Sequence, residues 1–107
     1  MEIIRDSNLK LEDLTAKNNM MMVVVSTKWC GPCNSMAPML EELEKETPSV
    51  KLVKVDVTED IPSFVTDMHI RSVPTMLFYK DKVLKNNING SRTKEQLTKE
   101  LSTLINS

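Results

Sequence analysis

Cys30 and Cys33 stand two residues apart in Trp29-Cys30-Gly31-Pro32-Cys33 and are the only cysteines of a 107-residue chain. Thiols at that spacing suit exchange with a disulfide, because one can attack and the other can then close on it. The attacking species is the thiolate, and an unperturbed cysteine is mostly protonated at neutral pH. Something must therefore stabilise the charge. Upstream, Met20–Val25 is a short apolar run of strand character, and a helix-periodic segment follows. Strand, tight turn and helix put Cys30 at a helix N-terminus and Cys33 one turn inside it. Unpaired N–H groups and the positive dipole end favour an anion there by ~0.3–1 kcal/mol, and by up to ~2 when partly buried. At ~1.4 kcal/mol per pKa unit, that lowers the Cys30 thiol by roughly one unit. A hydrogen bond from the Cys33 thiol would add to it. Gly31 permits the turn, and Pro32 loses nothing by lacking an N–H in a first helical turn. Cys30 attacks and Cys33 resolves.

The alternatives for the pair are half of a zinc site or two inert core thiols. A structural zinc site needs four ligands, and beyond carboxylates the chain offers only His69. Inert core cysteines have no reason to fall together around Gly-Pro.

The length suits one domain with one core, and 40% hydrophobic with 27% charged residues is ordinary globular composition. A net charge of −1 gives no field for nucleic acid or anionic membrane. Met1–Lys10 carries Glu2, Arg5, Asp6 and Lys10, unlike a signal peptide, and Met20–Val25 is far too short to span a bilayer. A reducing, cytoplasmic compartment is the expectation, since no second pair of cysteines exists for a structural disulfide.

The elements that must position the thiols are legible in outline. Ile3–Ile4 reads as a short edge strand, and Asp6–Lys17 as a weak helix through Leu9, Leu11 and Leu14. Met20–Ser26 is apolar enough for a strand buried on both faces. From Cys33 to Glu46, Met36, Leu40 and Leu43 recur at helical spacing, with a kink expected at Pro38. Val50–Val57 is a second central strand, and Ile61, Phe64, Val65 and Met68 form the stripe of a short helix with Pro62 in its first turn. Thr75–Tyr79 is a third strand, Lys80-Asp81-Lys82 a tight turn, and Val83–Asn89 a fourth strand at an edge. Thr93-Lys94-Glu95-Gln96 is a capping box that opens a last helix, with Leu97, Leu101, Leu104 and Ile105 on one face. The order β-α-β-α-β-α-β-β-α predicts an α/β fold with helices on both faces of a mixed sheet. Eight methionines against four aromatic residues suit an adaptable core, with Met20–Met22 in it rather than on a metal. His69 reads as a surface residue.

Trp29-Cys30-Gly31-Pro32-Cys33, Ala37-Pro38, Val55-Asp56-Val57, Ile70-Arg71-Ser72-Val73-Pro74-Thr75 and Gly90 together resemble the thioredoxin family over nearly the whole chain. Gly-Pro between the cysteines is similar to its reducing branch, whereas glutaredoxins usually carry Pro-Tyr and protein disulfide isomerases Gly-His. The resemblance implies the thioredoxin fold, a central mixed β-sheet of four to five strands flanked by four helices, in a single domain over 1–107. It implies a protein-disulfide reductase, with Cys30 as nucleophile and Cys33 as resolving thiol, and no bound cofactor. Its partners would be protein disulfide substrates such as ribonucleotide reductase, peroxiredoxins or methionine sulfoxide reductase. An NADPH-dependent thioredoxin reductase would restore the dithiol, and the protein would be a cytoplasmic monomer. Pro74 matches a cis-proline beside the dithiol, and Val73 offers its backbone to an extended substrate segment. Trp29, Gly31, Pro32, Val73, Pro74 and Gly90 would line a shallow docking groove, with Trp29 also packing partly into the core.

Four departures stand against that pattern. Val24 replaces a buried aspartate thought to take or relay the proton of the second thiol, so mixed disulfides should resolve more slowly near neutral pH while stability gains. Lys54, the usual partner of that aspartate, is left to snorkel, to approach Asp56, or simply to be solvated at a strand end. Asn89 stands where the groove is usually apolar, which should weaken or redirect docking. The turn Lys80-Asp81-Lys82 lacks a common glycine, read as a silent change. The departures at Val24 and Asn89 also support a rival reading, a thiol-independent binding module that stabilises a partner protein through the same groove.

Overall fold

Met20–Ser26 (β2) is apolar because it is covered on both faces and paired on both edges. It runs parallel to Lys51–Asp56 (β3) and antiparallel to Thr75–Lys80 (β4). The computed structural model describes residues 1–107. Around β2 and β3, Glu2–Ile4 (β1) closes one edge of the sheet parallel to β3, and Val83–Asn89 (β5) closes the other antiparallel to β4. The five strands lie in the order β1-β3-β2-β4-β5. The helices are Leu11–Lys17 (α1), Gly31–Glu46 (α2), Ser63–Asp67 (α3) and Lys94–Ile105 (α4). No helix is long and apolar enough to cross a membrane.

Alternation along the strands sorts the core into two layers. Met22, Val24, Leu52 and Met76 face Met36 and Leu40 of α2 and Leu97 and Leu101 of α4. On the opposite face, Met21, Val23, Val55 and Leu77 pack with Leu11 of α1 and Phe64 of α3. Of Met20–Met22, Met21 and Met22 are fully buried in the core, and Met20 packs partly buried against it. Lys94 reaches from the first turn of α4 to Glu42 at 2.7 Å and Glu46 at 2.6 Å, tying α4 to the outer side of α2.

Several local expectations need correction. The helix before β2 occupies only Leu11–Lys17, because Asp6 accepts the Asn8 N–H in a turn of its own. Proline at 38 does not interrupt α2, which continues from Gly31 to Glu46. Pro62 is the extended cap residue of α3 and not part of its first turn. Ile105 is 37% exposed at the end of α4, where the sheet no longer covers the helix. His69 is exposed with φ 55 and follows α3 as a left-handed terminating residue, its N–H donating to the Thr66 carbonyl.

The hairpin turn makes a backbone demand of its own. Lys80 pairs with Val83, so Asp81 and Lys82 form a two-residue loop, and both hold positive φ, 51 and 68. That is the conformation in which Asp-Gly is favoured and a lysine is strained. Lys82→Gly should therefore raise stability by about 1 kcal/mol in urea denaturation, with an unchanged m-value. No gain would mean that the turn relaxes around the lysine at no cost.

Candidate active site

Cys30 is the N-cap of α2, with extended backbone, and its Sγ accepts the Cys33 N–H at 3.1 Å. The Asn34 N–H donates to the Cys30 carbonyl at 3.0 Å, so the first turn closes on the cysteine itself. The first turn of α2 holds no acidic side chain, which leaves the positive end of the helix directed at the sulfur. Cys30 and Cys33 are joined in a disulfide, with Cα atoms 5.2 Å apart. Their exposure differs: Cys33 is 3% exposed, whereas Cys30 is half-buried at the surface. An incoming disulfide therefore meets Cys30 first.

Val73 and Pro74 reach the sulfurs from across the sheet. The Val73–Pro74 peptide is cis, and the Val73 carbonyl oxygen lies 3.7 Å from Cys30 Sγ. In the dithiol state the Cys30 S–H can donate to that oxygen, while the oxidised sulfur carries no proton. Gly90 donates its N–H to the Pro74 carbonyl at 2.8 Å and holds φ 91, which a side chain would strain. Gly31 lies in the regular first turn of α2 with open space where a Cβ would stand. It does not hold the positive φ that would require glycine. Pro32 is exposed in the same turn. Trp29 is 85% exposed, so the expected core packing is absent and the whole indole is available at the surface.

Behind the site, Val24 is 1% exposed within the apolar layer shared with Met36 and Met76. It pairs in register with Lys54, which is half-buried and makes no ion pair. Lys54 does not approach Asp56 in an ion pair, because that carboxylate is taken by Arg5, whose Nε lies 3.0 Å from Oδ2. Asp56 is 6% exposed. Burial works to raise its pKa, but hydrogen bonds from the Thr58 hydroxyl and N–H and from Arg5 outweigh it and hold the carboxyl below its ordinary value. Asn89 is exposed beside the groove, with its Oδ1 3.1 Å from the Thr75 hydroxyl. That hydroxyl also lies 2.8 Å from the Ser72 carbonyl.

Two neighbourhoods escaped the sequence reading. An open depression of about 640 Å³ continues from Pro32 past Met36 and Met39 to Ser91, Arg92 and Gln96. Thr58 bonds the backbone just before Trp29, accepting the Lys28 N–H at 2.8 Å. The Asp-Val-Thr spacing of 56–58 carried a signal for the second, since such polar residues bond local backbone at strand ends. A separate cleft of about 510 Å³ beneath α1 and α3, lined by Phe64 and Tyr79, shares no residue with the sulfur site.

The family profile described as Thioredoxin matches residues 2–103. This chain belongs to the thioredoxin family. It is similar to a thioredoxin of Mycolicibacterium smegmatis, 35% identical over 95 residues that make up 87% of this chain and 85% of the relative. It is 36% identical over 85 residues to the chloroplastic M-type thioredoxin of Spinacia oleracea, covering 78% of this chain but only 46% of that protein. The chain thus spans about half the length of that chloroplastic relative. The X-ray structure of Fasciola hepatica thioredoxin superposes with a TM-score of 0.83 at 28% identity, over 96% of this chain and 98% of that one. The fold is the thioredoxin fold, with all five strands and four helices in place. The chemistry of the Cys30–Cys33 pair is dithiol–disulfide exchange.

The buried Asp56 makes a prediction about acid stability. Its folded pKa lies below the unfolded one, so its contribution is present above about pH 4 and is lost as pH falls through the folded value. Asp56→Asn should lower stability at pH 7 by about 1–3 kcal/mol and flatten the acid limb of stability against pH. Urea titrations between pH 2 and 7 measure both, and a mutant curve parallel to the wild type would contradict the assignment.

Proposed function

We propose that this chain is a general protein-disulfide reductase acting as a single domain over 1–107. The observation that carries the reading is the asymmetry of the pair, with Cys30 accessible at the N-cap of α2 and Cys33 buried behind it. Cys30 thiolate attacks one sulfur of a substrate disulfide, forms a mixed disulfide and expels the other substrate sulfur as a thiolate, which takes up a proton. Cys33, on losing its proton, attacks Cys30 Sγ and expels the remaining substrate sulfur. Two electrons and two protons pass to the substrate, and the Cys30–Cys33 disulfide remains.

The groove roles are supported by the cis Val73–Pro74 peptide beside Cys30 and by the exposure of Trp29. Trp29, Gly31, Pro32, Val73, Pro74 and Gly90 receive an extended substrate segment, with the Val73 backbone pairing to it as an added strand. Family membership supports a thioredoxin reductase fed by NADPH as the source of electrons. The net charge of −1 supplies no field for nucleic acid or anionic membrane, and a single cysteine pair suits a reducing cytoplasm, where the chain would act as a monomer. The catalytic cycle requires no bound cofactor.

Reduction of insulin disulfides with dithiothreitol tests the chemistry. Cys30→Ser should abolish turnover, and Cys33→Ser should accumulate the mixed disulfide. A doubly substituted Cys30→Ser, Cys33→Ser protein that retains full biological function would instead favour the thiol-independent binding module.

The apolar wall behind Cys33 generates a second expectation. Val24→Asp should raise insulin turnover severalfold near pH 7, because a carboxylate at that position can take the Cys33 proton. It should also lower stability by about 2–4 kcal/mol, because the carboxylate enters an apolar layer. Burial raises that carboxyl's folded pKa, so the loss should be small below about pH 4 and full near neutrality. Unchanged turnover across pH 6–9 would mean that water or another group already accepts the proton.

A further inference from the structure

The backbone just before the attacking cysteine is held from two sides by side chains that the exchange chemistry does not use. From the sheet side, the Thr58 hydroxyl accepts the Lys28 N–H at 2.8 Å and donates to Asp56 Oδ1 at 2.6 Å. The Thr58 N–H donates to the same oxygen at 2.9 Å, and Arg5 Nε donates to Oδ2 at 3.0 Å. From the helix side, Asn34 Nδ2 donates to the Lys28 carbonyl at 3.2 Å. Both polar groups on the Lys28 backbone are thereby tied, one to the end of β3 and one to the first turn of α2.

Little else restrains this turn. Trp29 and Lys28 are exposed, and the bond from the Cys30 N–H to the Thr27 carbonyl is long at 3.5 Å. The chemistry of the relay is specific. A backbone N–H can only donate and an ionised carboxylate can only accept, so the group between them must do both. Threonine does so through one atom.

We propose that Thr58, oriented by Asp56, and Asn34 are positioning residues for Cys30, fixing the Lys28–Cys30 turn so that the sulfur stays on the N-cap of α2. Released from either side, the turn drifts, the Cys33 N–H no longer reaches the sulfur squarely, and the thiolate loses a charge-assisted hydrogen bond. The charged groups around the turn are Arg5, Lys28, Asp56, Glu59 and Asp60, with Lys28 Nζ 3.7 Å from Glu59. Lys54 and Arg71 stand on the neighbouring strand and loop. Neutral substitutions at Thr58 and Asn34 leave all of them in place, so a shift in thiol titration reports geometry.

The test is the pH profile of Cys30 alkylation by iodoacetamide in the reduced full chain, supported by thiolate absorbance at 240 nm. It uses neither substrate nor reductase, so it succeeds or fails separately from the proposed disulfide-reductase function. Thr58→Val should move the midpoint upward by about half a unit or more, roughly a threefold loss of thiolate below the midpoint. Thr58→Ser, which keeps the hydroxyl, should restore the wild-type profile. Asn34→Ala, at an exposed helical position, should also shift it upward, and it decides the matter if Thr58→Val does not fold. A folded Thr58→Val or an Asn34→Ala protein with the wild-type midpoint overturns the proposal, as does a Thr58→Ser protein that behaves like Thr58→Val.

Discussion

The site depends on where α2 begins, and that is set by the double burial of β2. A strand paired parallel on one side and antiparallel on the other, and covered on both faces, has no freedom of register. A one-residue slip would carry Met22 and Val24 away from α2 and put Met21, Val23 and Val25 in their place. The chain leaving β2 at Ser26 must then turn within four residues and present Cys30 as the cap of a helix whose apolar stripe already faces the sheet. Thiol reactivity is thus a consequence of core packing. The helix cannot rotate or slide without exposing Met36, Leu40 and Leu43, which fixes the place of the Cys33 N–H and leaves the preceding turn to bring the Cys30 sulfur to it.

The parts of the molecule that were legible in the sequence are those governed by local rules. Met20–Ser26, the 3.6-residue stripe of α2 and the capping box at Thr93 each contain their own explanation, and the box is formed with both hydrogen bonds. The cysteine pair carried its chemistry in its spacing. What was not legible required knowledge of residues far apart in the chain. Trp29 looks like a core residue by type, yet the turn that carries it leaves the sheet before any layer can cover it. Asp56 and Arg5 are 51 positions apart, and only the adjacency of β1 and β3 brings them together. The strain at Asp81 and Lys82 was hidden because loop length, read from the pairing of Lys80 with Val83, decides the turn type.

Asn89 shows how one polar residue acquires a fixed direction. Thr75 has a single hydroxyl proton and two oxygens in reach, the Ser72 carbonyl and Asn89 Oδ1. With the proton directed to Asn89 Oδ1, the Asn89 amide is held against the residue that follows Pro74. An apolar side chain there would offer area without direction. The amide offers a hydrogen bond and demands one, so on the proposed reading it would restrict the substrate segments that lie over Val73 and Pro74.

The same contrast between area and charge governs the thiols. With Val24 in the apolar layer, the positive groups on this side of the sheet are the N-terminal end of α2 and Lys54, which lies two positions along β3 from Leu52. Both favour a thiolate, and neither accepts a proton. Equilibrium and rate are thereby separated. The electrostatics stabilise the charged sulfur once it has formed, while the path by which the Cys33 proton leaves lacks a carboxylate to receive it. A buried carboxylate beside Lys54 would supply that path, but it would also cancel part of the positive field and place a second ion in the core. The chain instead keeps Val24 in the apolar layer, and Lys54 beside it in register is half-buried without an ion pair. On the proposed reading, stability and thiolate character come from the same substitution, and the step that a carboxylate there would assist is the second one, in which Cys33 must become a nucleophile.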